Sequence, residues 1–223
     1  MLFRSIDETI NLPEYKDAGM TLVERAHFNT TDISVAAQIE KVKAANPQAF
    51  IAWSTGTPIA TIFKGIVQAG LDVPTATTDG NMTYAQMTNY ADFLPKQLYI
   101  PAGEWPPHDA RVKLDPAVEK AQQEFYEAFK AANVQPDVAA SLAWGPAVVV
   151  TDALRKLGPG ATATQLRDHL AAIKGFAGVD GFWNFTASPQ RGLDDGNAVV
   201  TRWDPGKKLW VVLTHPGGLP LDK

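Results

Sequence analysis

Four short apolar or β-branched runs, at residues 20–28, 49–53, 73–78 and 97–102, alternate with three stretches patterned as amphipathic helices. In the first stretch Ile33, Ala36, Ile39 and Val42 share one helical face, with Asp32 predicted as its N-cap. In the second, Pro58 opens a helix after Thr57, and Ile59, Ile62, Phe63, Ile66 and Val67 line its inner side until Gly70 stops it. The third spans residues 82–93, and a further helix at 3–17 precedes the first run. Strand–helix–strand units with continuously apolar strands and short connections build a parallel sheet covered by helices, so the class is α/β. In such sheets ligands bind at the carboxyl ends of the strands. The loops 28–31, 54–57 and 78–81 are therefore where function is expected.

Beyond residue 103 the pattern changes. Three prolines, Pro106, Pro107 and Pro116, mark a hinge segment. A helix from Pro116 follows, striped by Val118, Ala121, Phe125, Phe129 and Ala132. The next, 136–157, is apolar on nearly every side, which predicts deep burial, with a bend where Gly145-Pro146 removes a backbone donor. A helix at 164–173 has Thr162 as its cap. From Gly181 the sequence reads as paired strands, FWNF, AVVTRWD and LWVVL, and the tail 214–223 is expected to fray.

The formal net charge is −4, and the basic residues are scattered rather than striped, which argues against a nucleic-acid surface. The absence of cysteine excludes disulfides and thiolate chemistry. His27, His108, His169 and His215 lack metal-ligand spacing, and no phosphate-binding glycine loop or nucleophile elbow is present. Neither a cofactor nor catalysis is called for. The first residues, MLFRSIDETINL, lack a signal-peptide pattern, which fits either a cytoplasmic protein or a sequence incomplete at its N-terminus.

The segment NTTDISVAAQIEKVKAANPQAFIAWSTGTPIATIFKGIVQAGLDVPTATTDG resembles the second lobe of type I periplasmic solute-binding proteins, in the branched-chain amino acid group that serves ABC transporters. AFKAAN, TDALRKLG and QRGLDDGNAVVTRW extend the likeness over nearly the whole chain. The resemblance implies two α/β lobes closing on a small ligand, a membrane permease as partner, and a periplasmic location with a signal peptide upstream. It further implies a fragment: residues 1–105 as lobe two, 106–175 as the helical remainder of lobe one, 176–213 as a closing hairpin, and 214–223 as tail. The other reading of the same fold is a cytoplasmic ligand-sensing regulator of the amide-responsive kind.

Asp79 and Gly80 follow the run 73–78 directly. By themselves they are either a turn entering a helix or a ligand-binding carboxylate. The resemblance aligns Asp79 with an acidic position that accepts hydrogen bonds from a ligand ammonium. Ser54 and Thr55 lie in the preceding loop, with Thr55 where relatives often carry tyrosine, and Thr57 is expected to cap its helix. Leu142 and Trp144, beside Ser141, lie where relatives turn a lobe-one helix toward the cleft, although tryptophan on such a helix also suits a core. Trp105 reads more readily as packing than as a hinge contact, and Arg191 and Asp194 as structural charges.

Overall fold

The computed structural model describes residues 13–221. In chain order it contains α1 (Pro13–Asp17), α2 (Ala36–Ala44), β1 (Phe50–Ala52), α3 (Thr57–Gln68), β2 (Thr75–Thr77), α4 (Tyr84–Asn89) and β3 (Leu98–Ala102). There follow α5 (Pro116–Ala131), α6 (Val138–Leu157), α7 (Ala163–Ala171), β4 (Lys174–Gly178), β5 (Gly181–Asn184), β6 (Val199–Asp204) and β7 (Leu209–Val212). The strand order of the main sheet is β1-β2-β3-β6-β7. The first three strands are parallel, with Phe50 beside Thr75 and Thr75 beside Leu98, and β6 and β7 extend the sheet antiparallel. This is the expected α/β architecture.

Three buried threonines hold the inner face together. Thr77 Oγ1 donates to the Ala52 carbonyl at 2.7 Å and Thr201 Oγ1 to the Ile100 carbonyl at 2.8 Å, while Thr75 donates to Val73. Each hydroxyl is satisfied by backbone, so β-branched polar residues occupy the core without an orphaned donor. Ile59, Phe63 and Ile66 of α3 and Val35, Ile39 and Val42 around α2 supply apolar cover. Tyr84, Trp203, Trp210 and Trp105 interlock at the other end, with ring centroids 4.6–6.3 Å apart. Trp105 is thus a core residue.

Several expectations are corrected. Residues 20–28 form no strand, and Met20, Leu22 and Val23 stay about half exposed. A strand exists only if a neighbouring strand takes up its amides and carbonyls, and among the described residues no strand pairs with this run: the Met20 amide donates to the Tyr15 carbonyl, and the His27 carbonyl accepts from the Gln38 side chain. Ile33 is 98% exposed because α2 starts later, at Ala36, and Asp32 instead accepts from the Asn29 amide. Most of the helix predicted at 3–17 lies outside the described residues.

α6 continues through Pro146 as one helix. Its buried stripe is Val138, Ser141, Gly145, Val149 and Ala153, while Leu142 is 60% exposed and Val148 and Leu154 are also open. Its apolar composition predicted burial all round, but α5, met through Trp144, together with α7 and β4 cover only one side. FWNF pairs with Lys174–Gly178, a glycine-rich strand without a strand-like composition. Within the described residues the tail does not fray: Thr214 bridges to Pro220, and the Gly218 amide donates to the Ala198 carbonyl at 3.2 Å. Thr162 caps α7 as expected, in a capping box with Gln165.

Candidate functional site

The carboxyl ends of β1 and β2 carry two loops that the sequence places far apart and Asn81 fastens together. After β2, Thr78 leads into a single 3-10 turn, Asp79–Asn81. Asn81 is fully buried, and its Nδ2 donates to the Ser54 carbonyl at 2.7 Å and to Thr77 Oγ1 at 2.9 Å. Gly56 takes φ +65°, which lets the first loop turn into α3, and its carbonyl accepts from Tyr90 Oη at 3.2 Å. Gly56 is the N-cap, with no side-chain cap, so Thr57 does not cap α3 as expected.

The loops approach closely where Gly80 meets Thr55: a Cβ on Gly80 would lie 3.0 Å from Thr55 Cγ2. Ser54, Thr55, Asp79 and Gly80 therefore form one group at the sheet edge. Asp79 is exposed, and its Oδ1 accepts from the Gly80 amide at 2.8 Å. The carboxylate shapes the turn and still presents its outer oxygen to solvent. Among the described residues no cation pairs with it.

Replacing Asn81 by Ala removes the fastening and takes the donor from the part-buried Ser54 carbonyl, a loss of about 1–3 kcal/mol. The expected result is a lower urea midpoint and faster amide exchange in both loops; unchanged exchange in the 54–57 loop rules this role out.

The first turn of α6 sits against the same loop, where the Val138 amide donates to the Met82 carbonyl at 3.3 Å. Leu142 lies one turn along and is exposed. Trp144 packs its ring on Phe125 and Phe129, with centroids 5.6 and 5.9 Å away, in the α5–α6 seam. Ser141 is buried and donates to the Val138 carbonyl at 3.1 Å. Asp194 caps the short turn Asp195–Asn197, a structural role as expected, and Arg191 is on the surface.

Two buried carboxylates, Asp180 and Glu104, were not singled out by the sequence. Asp180 is 7% exposed in the β4–β5 turn, and Glu104 is 6% exposed just beyond β3. Burial raises the Asp180 carboxyl to about 7, helped by the charges of Asp79 and Glu104, while the Ser141 hydroxyl beside it acts in the opposite sense. Burial also raises Glu104, whose Oε1 accepts from Asn197 Nδ2 at 3.3 Å. The available signal was Asp180-Gly181, a second Asp-Gly pair next to an apolar strand. Two surface hollows, of about 420 Å³ beside His108 and Leu114 and about 330 Å³ beside His169 and Phe176, touch none of these residues. Among the described residues no cluster could hold a metal ion, and no helix is long and apolar enough to cross a membrane.

A comparison with curated proteins gives no match. Among solved structures, an extracellular ligand-binding receptor from Rhodopseudomonas palustris HaA2 is 22% identical with a TM-score of 0.74, covering 90% of this chain and 57% of that one. The leucine-binding protein LivK from Thermotoga maritima is 16% identical with a TM-score of 0.67, covering 98% of this chain and 55% of that one. LivJ from Streptococcus pneumoniae, a branched-chain amino acid transporter substrate-binding protein solved with isoleucine, is 21% identical with a TM-score of 0.60; the match covers 83% of this chain and 50% of LivJ. The chain thus spans about half the length of these structures, 50–57%, and shares their fold. The periplasmic binding protein family matches residues 14–208, and the chain belongs to that family.

Proposed function

We propose that this chain is part of the substrate-binding component of an ABC importer, acting outside the cytoplasm and carrying a branched-chain amino acid or a related small carboxylate. The observation that carries the reading is Asp79: an exposed carboxylate without a cationic partner among the described residues, next to Thr55 and Gly80 at the ligand-binding edge of a parallel sheet. A carboxylate there accepts charge-assisted hydrogen bonds from a ligand ammonium, and the Thr55 hydroxyl offers a neutral contact beside it. Ser54 contributes its carbonyl to the loop tie and its side chain to the same rim. Ligand capture bridges two lobes and favours a closed form, which the membrane permease recognises. No bond is made or broken.

Titration calorimetry with isoleucine and with its des-amino analogue 3-methylpentanoate tests the assignment. An ammonium contact is worth about 1.5–3 kcal/mol, so Asp79→Ala weakens isoleucine roughly 10- to 100-fold and leaves the des-amino acid unaffected. Equal affinity of both proteins for isoleucine removes Asp79 from the site. Binding of the des-amino acid alone rules out the amino-acid class.

A further inference from the structure

The junction between the main sheet and the helices α5 and α6 closes on a carboxyl group. Asp180 sits in the turn between β4 and β5, enclosed by three other pieces of chain. A Cβ on Gly103 would lie 2.7 Å from Asp180 Oδ1, and one on Gly145 of α6 would lie 3.6 Å from Oδ2. Glycine at 103 is what lets the carboxyl enter, whereas the approach at Gly145 is ordinary van der Waals contact. The Glu104 amide reaches back to the Asp180 carbonyl at 3.5 Å, and Gln122 Nε2 of α5 donates to the carbonyls of Glu104, at 2.6 Å, and of Val179, at 3.3 Å. Segment 103–105, which carries the chain from β3 to α5, is thereby clasped to the β4–β5 turn and to α5, while α6 approaches the Asp180 carboxyl at Gly145 and Ser141.

The ionisable groups around Asp180 are all acidic. The loop after β2 contributes Asp79, the crossing contributes Glu104, and α5 contributes Tyr126; Asp115, the N-cap of α5, acts on Glu104 from further out. α6 contributes the neutral Ser141 and Gly145, and the 195–197 turn contributes the neutral Asn197. Among the described residues no Lys, Arg or His pairs with Asp180 or Glu104. A second negative charge here would be desolvated and would face two others of the same sign.

We propose that Asp180 is a proton-operated latch: protonated, its carboxyl locks the β4–β5 turn to α6 and to the 103–105 crossing, and loss of the proton to solvent releases that joint. The inference is independent of which ligand binds at Asp79. Burial and neighbouring charge both hold the proton on Asp180 into the neutral range, so the latch operates near neutral pH.

Amide hydrogen exchange on the intact chain between pH 5 and pH 8.5, corrected for intrinsic rates, tests it. The joint's opening equilibrium grows up to about tenfold per pH unit between roughly pH 4 and 7. Exchange should therefore accelerate in β4, β5 and the first half of α6 while α3 and β2 stay unchanged. Asp180→Asn, a neutral isostere, should keep the joint closed and abolish the dependence, and Glu104→Gln should move its upper limit to lower pH by removing one charge that helps hold the proton on Asp180. Uniform exchange across the pH range overturns the latch, as does a wild-type pH profile in Asp180→Asn. If Asp180→Asn fails to fold, a Glu104→Gln profile identical to wild type overturns it equally.

Discussion

Gly181→Ala is expected to be the most damaging single methyl addition in the described chain, lowering stability by roughly 3 kcal/mol or more. Two costs add at this position. The backbone φ of +116° is one that an L side chain rarely adopts, and a Cβ would meet the Asn197 amide group and lie 2.6 Å from Glu104 Oε1. Neither neighbour can withdraw easily, because Asn197 donates to Glu104 and Glu104 is itself buried. Gly70→Ala supplies the control: its φ of +63° is also positive, but nothing lies within 4 Å of the added carbon. That variant should lose only about 1 kcal/mol. Urea midpoints of the two variants decide the matter, and equal midpoints would show that the crowding at Gly181 costs nothing.

Asp180→Asn should move stability in the other direction, and by an amount that depends on pH. The Asp180 carboxyl titrates at about 7 in the folded chain against an ordinary 3.8. Below pH 4 it is protonated folded and unfolded alike, and the favourable burial of the neutral group is fully present. As pH rises from 4 to 7 the unfolded chain releases the proton while the folded chain retains it, so stability falls; above 7 the loss is complete. The gap corresponds to roughly 4 kcal/mol at its limit. The Asn variant carries no proton to lose, so at pH 8 it should melt roughly 8–16 °C above the wild type. Near pH 4 the two should melt together. Scanning calorimetry at both pH values checks the sign, and a variant less stable than wild type at pH 8 would mean that the charged carboxylate is the favoured form.

What was legible in the sequence follows the range of the interactions involved. The loops bearing Ser54, Thr55, Asp79 and Gly80 were found because a strand, a turn and a helix start are encoded by adjacent residues. The pairing of those loops through Asn81 was not, since Asn81 reads locally as one more turn residue and its partner, the Ser54 carbonyl, has no sequence signature. Residues 20–28 have the composition of a strand, yet strand formation is decided by a neighbour that composition cannot name. α6 illustrates the same point for helices: its apolar residues say that much of it is fit to be covered, but only its packing shows that Leu142 and Leu154 are not. Asp180 and Glu104 meet only when β4–β5 folds back on the end of β3, so neither carboxylate looked unusual in its own stretch of chain.

The tie that Asn81 makes between the two loops also bears on how a ligand would be captured. Because both loops are bound to one sheet edge before anything arrives, the proposed contacts Thr55 and Asp79 would meet a ligand as a single preorganised surface. Little ordering entropy is left to lose on that side, so contacts made there translate more fully into affinity. Under the proposed function, the motion that capture requires would then fall outside these two loops, with the crossing at 103–105 as the candidate place for it. Selectivity and mobility would then belong to different parts of the chain, and one could change without disturbing the other.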